Sequence, residues 1–346
     1  MINIPNGHII VPESVDGINA VVSAPSIIIK KGRARAVTAG DLSTYKFYGG
    51  IQSPVSSDFD TAVRERVLWA GEQGLIGLVH DPKNRKFDDR KFRFDRYSFG
   101  RDGSITLRFG PSHFPEHEAT NVRALYDPAF HGRLMMKGQM DFNDPMAYFA
   151  NAVAVDVVVE TSDDLIIIGK RSSSRSPLYP GYWHNIGGFT EPKYELFDLP
   201  DDGQKALAHF RQSMFQEMIQ EASITESDVA RMDLIGATYG ISSVDLNYQA
   251  KVNATAEHIK MNGFYAAADK GQHKGFVAVD FGILVDVLAG KKTFDLTDPT
   301  GAVALQKPIN NNMVPLGRGG LLIYVGLKDK DALKHILDQP QYRFPA

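Results

Sequence analysis

The sequence contains no cysteine. Disulfides, thiolate catalysis and sulfur-ligated zinc sites are therefore excluded. It also lacks an uninterrupted apolar run long enough to span a bilayer, since Asp156 breaks the valine-rich "FANAVAVDVVVE". The start, "MINIPNGHII", has neither the charged n-region nor the apolar core of a signal peptide, which predicts a cytoplasmic protein with no membrane partner. No internal repeat or low-complexity tract is present. A strong charge of either sign is missing too. Lys+Arg number 38 and Asp+Glu 41, a net charge of -3, which argues against nucleic acid as a partner. The densest basic stretch, "KNRKFDDRKFRFDR" (Lys83 to Arg96), is interrupted by acids and reads as a solvated strand face.

What is present is material for a core. With 43% hydrophobic and 23% charged residues, the 346-residue chain fits one large soluble domain or two ordinary ones. "DFDTAVRERVLWAGEQG" predicts a helix, with Val63, Val67 and Ala70 on one face. Phe92, Phe94 and Tyr97 mark one arm of a hairpin; Ile105, Leu107 and Phe109 alternate on the other, with "RDGS" between them. These elements predict a smaller α+β N-terminal domain over residues 1–145. A second domain over 146–346 opens with a buried hairpin, "AVAVDVVVE" and "LIIIGK". A loop follows, then a helix from Gln204 to Ala222, capped by Asp201 or Asp202. "MDLIGATYGI", "LNYQAKVNATA" and "GFVAVDF" read as strands. "AEHIKMNGFYAAA" reads as helix or loop; "ILVDVLAG", "GRGGLLIYVGL" and "DALKHILDQ" read as helices. Mixed strands around helices predict an α+β or α/β sandwich.

The Gln204–Ala222 helix carries the chemical signal. In "FQEMIQEASI", Glu217 and Glu221 fall on one helical face with no Lys or Arg beside them. Two like charges at that spacing destabilise an isolated helix by ~0.2–0.5 kcal/mol. Gln220 extends the polar stripe, and Met214, Met218 and Ala222 form an apolar one. Carboxylates facing a cleft need a counter-charge, and Mg²⁺ suits them: it takes one or two carboxylates and fills its other positions with water and phosphate. The alternative is a pair of solvent-facing surface glutamates. Upstream, "WHNIGGFTEP" ends a strand on Gly187-Gly188, where the backbone can approach a ligand closely, and places Glu191 three residues after Gly188.

Strand, double glycine, loop and carboxylate-bearing helix together resemble the Nudix hydrolases, whose motif runs G-x5-E-x7-R-E-U-x-E-E-x-G-U with U apolar. Glu217 matches the first helical glutamate and Glu221 the last; Met218 and Ile224 match apolar positions. Gln216 stands in place of the arginine, Gln220 of the middle glutamate and Ser223 of the glycine, and the span from Gly188 to Glu217 is longer than in the motif. The "GGFTEP" turn, the insertion and a glutamine before the first helical glutamate resemble the atypical branch of UDP-glucose and UDP-galactose pyrophosphatases. "GRGGLLIYV" and the Thr120-Asn121 pair carry the likeness further.

The resemblance implies a Nudix-type α/β/α sandwich and hydrolysis of a nucleoside diphosphate linked to another group, with a small-molecule nucleotide as partner. It implies Mg²⁺, or Mn²⁺, held by Glu217 and Glu221 with the amide oxygen of Gln220. Glu217 would also orient or deprotonate the attacking water. Glu191 is a second candidate for base or outer ligand, or else a turn residue. Lys170, Arg171 and Arg175 are candidates for phosphate or sugar oxygens, or ordinary surface cations. Tyr182 or Trp183 would stack on a base, or anchor the core or loop. In "HFPEH", Pro115 argues against a helix joining His113 and His117 in a zinc site. His184 lies beside the site and would bond only to backbone. Three readings follow: a nucleotide-sugar pyrophosphatase, a Nudix hydrolase of ADP-ribose, dinucleotides or capped RNA, and an inactive Nudix-fold ligand-binding or interaction domain.

Overall fold

In the computed structural model the described residues are 3–4, 7–9, 34–37, 90–99, 105–143, 145–146, 149–173, 179–191, 203–240, 243–263, 267, 272–305 and 312–339. The helix expected over "DFDTAVRERVLWAGEQG", the "RDGS" turn and the Asp201 and Asp202 caps lie outside them.

The valine run forms the centre. In chain order the strands are β1 (Asn3–Ile4), β2 (Gly7–Ile9), β3 (Ala34–Val37), β4 (Arg90–Phe99), β5 (Ile105–His113), β6 (Val153–Glu160), β7 (Ile166–Arg171), β8 (Trp183–His184), β9 (Ile186–Phe189), β10 (Val229–Gly240), β11 (Val244–Val252), β12 (His273–Val279), β13 (Lys292–Phe294) and β14 (Ala302–Ala304). The main helices are α1 (Pro128–Phe142), α2 (Gly203–Ala222), α3 (Phe281–Leu288), α4 (Pro315–Lys328) and α5 (Lys330–Leu337). The large sheet runs β1-β2-β10-β11-β6-β7-β12, with β8 on β7 and β9 on β6. It is mixed, because β11 and β6 pair in parallel while the other pairs are antiparallel.

All eight residues of β6 are buried, as expected of a strand covered on both faces. Val153, Val155, Val157 and Val159 pack with Phe210, Met214, Met218 and Ala222 of α2. Val158 faces the other way, among residues of α3, α4 and α5. The result is the expected α/β/α sandwich. Strands from the first 145 residues join it: β2 pairs with β10, and Phe92 and Phe94 of β4 share the core with β6. Buried Arg93 is satisfied by the carbonyls of Phe149 and Met146, at 3.1 and 3.2 Å. Among the described residues no helix is long and apolar enough to cross a membrane.

Two local features position the site. First, β6 and β7 pair directly only at Val159–Ile167 and Glu160–Ile166; nearer the start of β6, β9 takes the place beside it. The sheet therefore forks, and the double glycine sits in the fork. Second, α2 ends on Ser223, whose φ of 53° is left-handed. Its N–H bonds to the Ile219 carbonyl at 3.0 Å, so the helix stops one residue after Glu221's neighbour Ala222. The motif's glycine position is the residue that must take this backbone shape, and serine accepts it here.

His113 ends β5, so no helix joins it to His117. Phe114–His117 forms a short helical turn with the proline inside its first turn, where no N–H is needed. His117 is fully buried between the rings of Phe114 and Phe189, and burial followed by nearby Lys91 pushes its imidazole down to about 3. It is a neutral core residue.

Candidate active site

The two helical glutamates meet the two glycines. A Cβ on Gly188 would fall 2.6 Å from Oε1 and 2.7 Å from Oε2 of Glu217, so the missing side chain makes room for that carboxylate. A Cβ on Gly187 would run into the carbonyl oxygen of Val155 on β6. The close approach expected of these glycines is therefore to the protein's own groups: β6 at one and Glu217 at the other. Gly187 N–H also donates to Glu221 Oε2 at 3.1 Å, tying α2 to the fork.

Glu221 is 2% exposed. Polar groups reach it from across the sheet. His273 Nε2 of β12 lies 3.2 Å from Glu221 Oε2, a close contact bent away from hydrogen-bond geometry. Arg171 of β7 pairs with His273 in the ladder and is largely buried. Its Nε has no hydrogen-bond partner among the described residues. Burial pulls the guanidinium down from its ordinary range, against the opposing fields of Glu221, Asp245 and Tyr179. His184 on β8 is buried, and its Nδ1 has no hydrogen-bond partner among the described residues. Burial, then Arg171 and His273, hold it well below its usual value, so it is neutral. Arg171 and His273 thus bring buried polar atoms toward Glu221, with His184 beside them.

The other expected site residues are placed differently. Glu191 ion-pairs with Lys91 of β4 at 3.0 Å, and its backbone carbonyl lies 2.7 Å from His209 Nε2. Lys91, itself buried, holds that carboxylate as part of the joint between β4 and the strand end. Trp183 is 3% exposed and packs edge-on against Phe294, with Lys170 Nζ 4.4 Å from its ring centroid. This is the core-anchoring placement that the sequence also allowed. Lys170 covers that ring, and burial followed by Lys274 lowers its ammonium, with Asp295 opposing. Gln220 is exposed on α2. Arg175 lies outside the described residues.

A polar layer missed in the sequence lies beneath α4. Asp156 accepts from Asn247 at 2.7 Å and from Asn185 at 3.1 Å, and Asn185 also donates to the Gly317 carbonyl at 3.0 Å. A Cβ on Gly320 would sit 3.0 Å from Asn247 Nδ2 and 3.1 Å from both Asp156 oxygens. The glycines of "GRGG" therefore let a helix lie directly on buried carboxylate and amide groups. Burial, then neighbouring Asp245, raises Asp156 well above the ordinary carboxylate range. Burial raises Asp245 to about 7, against the Ser243 hydrogen bond and Arg171.

Among the described residues no group of three or more His, Asp or Glu is arranged to hold a metal ion. Glu217 and Glu221 are the carboxylates that meet the double glycine, and a pair of carboxylates could hold an ion that completes its shell with water and phosphate oxygens.

No protein-family model matches the chain. It is 21% identical to the uridine diphosphate glucose pyrophosphatase NUDT22 of Bos taurus over 250 residues, 67% of this chain and 83% of that protein. The Homo sapiens protein of the same name is 22% identical over 250 residues, 67% of this chain and 80% of that one. Among solved structures, the Nudix domain of Shewanella oneidensis NrtR, in complex with ADP ribose, is 15% identical, covers 44% of this chain and 86% of that one, and has a TM-score of 0.26.

Proposed function

We propose that this chain, an atypical Nudix hydrolase resembling the UDP-glucose pyrophosphatase branch, cleaves the diphosphate of a nucleotide sugar. The substrate is of the UDP-glucose or UDP-galactose type. Water adds to one phosphorus, the bond from that phosphorus to the bridging oxygen breaks, and UMP and a sugar 1-phosphate leave. The observation that carries the reading is the seating of Glu217 in the space left by Gly188, with Glu221 held by Gly187 N–H one helical turn on.

Such a diphosphate resists hydrolysis because its negative oxygens repel the nucleophile. Glu217 and Glu221 would hold a divalent cation, Mg²⁺ or Mn²⁺, which would supply the neutralising charge. Glu217 orients the water or takes its proton. Arg171 is the strongest candidate for a phosphate oxygen, because its buried Nε is unspent. Glu191, paired with Lys91, is the weaker candidate base, since deprotonating water would mean leaving that ion pair. Gln220 adds at most a neutral amide oxygen.

A second reading, a ligand-binding Nudix domain without turnover, is favoured by Gln216, Gln220 and Ser223 at motif positions. Incubating the chain with Mg²⁺ and a panel of UDP-glucose, UDP-galactose, ADP-ribose and a dinucleoside polyphosphate separates the readings. The expected result is UMP release from the UDP-sugars. Cleavage of ADP-ribose alone would move the substrate class. Binding with no cleavage of any compound would establish the second reading.

A further inference from the structure

Side chains alternate along a strand, so residues three apart face opposite ways. Phe276 of β12 packs with the α2 side of the sheet, and a regular strand would turn His273 away from α2. β12 is not regular. His273 pairs with Arg171 and Gly275 with Lys170, which leaves Lys274 as the extra residue of a bulge. The bulge returns His273 to the α2 side, where it meets Glu221. Space for the ring comes from Gly169, where a Cβ would be 2.5 Å from Nδ1 and 2.7 Å from Cε1 of His273. Phe276 covers the ring with centroids 5.0 Å apart and planes 33° apart, fixing its setting.

A buried imidazole with neither nitrogen in a hydrogen bond among the described residues is costly, and both a bulge and a glycine place it there. We infer that His273 is the positioning residue for Glu221. Together with Gly187 N–H it holds Oε2, so that Oε1, which has no partner among the described residues, is presented to a divalent ion. Off-line contacts of this kind commonly straighten when the ligand arrives. The inference rests on the reading of Glu221 as a metal-binding carboxylate, and it adds Gly169, His273 and the bulge as the parts that orient it. Outer groups of this type are worth about 10–100-fold in metal affinity.

The test is Mn²⁺ binding to the full chain without substrate, followed by electron paramagnetic resonance, with melting temperature recorded alongside. His273→Ala should weaken Mn²⁺ binding about 10-fold or more. Gly169→Ala, which displaces the ring while leaving the imidazole present, should do the same. His273→Gln, which keeps a donor at that end, should recover most of the affinity at the melting temperature of the alanine variant. Wild-type affinity in both His273→Ala and Gly169→Ala would overturn the positioning role while leaving the metal reading intact. Failure of the wild-type chain itself to bind Mn²⁺ would overturn both.

Discussion

The carboxylate of Glu217 occupies the volume that a side chain on residue 188 would need. A methyl group there meets the end of a flexible side chain, so the fold can yield by moving Glu217. Gly188→Ala should therefore keep its melting temperature within a few degrees and lose about 100-fold in turnover, the scale of a misplaced reacting group. Gly187→Ala meets backbone instead, and should lose about 1–3 kcal/mol in a urea titration. Equal stability losses in the two variants would show that Gly188 serves only packing.

Glu221→Gln keeps the acceptor for Gly187 N–H and removes the charge. Turnover of UDP-glucose in Mg²⁺ should fall by more than about 100-fold, beyond the range of an outer-group substitution, with the circular dichroism spectrum unchanged. Wild-type turnover would remove Glu221 from the metal site.

Arg171 holds a buried Nε with no hydrogen-bond partner among the described residues, and an apolar residue of similar length escapes that cost. Arg171→Met also removes the positive charge that faces Glu221 and Asp245, so the opposing effects should leave the melting temperature within a few degrees of wild type, and UMP binding should weaken about 10–100-fold by calorimetry, the worth of a charged hydrogen bond. A less stable variant that binds UMP normally would make the arginine a structural partner of Glu221.

Much of this arrangement was legible because it is written in local periodicity. The valines of β6, the Phe210–Met214–Met218–Ala222 stripe of α2 and the strands β10 and β11 follow from patterns a few residues long. Glu217 and Glu221 were readable as a same-face pair for the same reason. What could not be read were contacts made across the sheet. Arg171 and His184 come from β7 and β8, and His273 reaches α2 only because a bulge reverses its facing. Gly275, a glycine opening a strand pattern, was the one available sign of that bulge. Trp183 and Glu191, candidates for base stacking and for the base, are held by Phe294, Lys170 and Lys91, contacts that could not be read because those partners are remote in sequence or on the next strand.

Asp245 should make stability pH-dependent in an unusual direction. Its folded value, about 7, lies above the unfolded carboxylate range, so the native state binds the extra proton. That contribution costs nothing at pH values below the unfolded range, and destabilises progressively as pH rises toward 7. His184 and His117, held low, act oppositely and lose stability as pH falls through the ordinary histidine range. The comparison that isolates Asp245 is wild type against Asp245→Asn, which can still accept from Ser243. The variant should gain melting temperature over wild type between pH 5.5 and 8. A constant gap across that window would mean that Asp245 is already ionised at its lower end.

Gly320 sets how closely α4 lies on the buried polar layer. Alanine is the better helix former by about 1 kcal/mol, which on its own favours Gly320→Ala. The new methyl group, however, would press at 3.0–3.1 Å on Asn247 and Asp156, whose side chains are fixed to each other and, through Asn185, to the Gly317 carbonyl. Neither can turn away without leaving a buried donor or acceptor unpaired, at a cost of about 1–3 kcal/mol. The clash should win, lowering the urea midpoint. Because Asp156 shares this layer with Asp245, loosening α4 should also admit water and bring Asp156 back toward the ordinary carboxylate range. A raised midpoint would show that helix propensity, not contact with the carboxylate, governs this position.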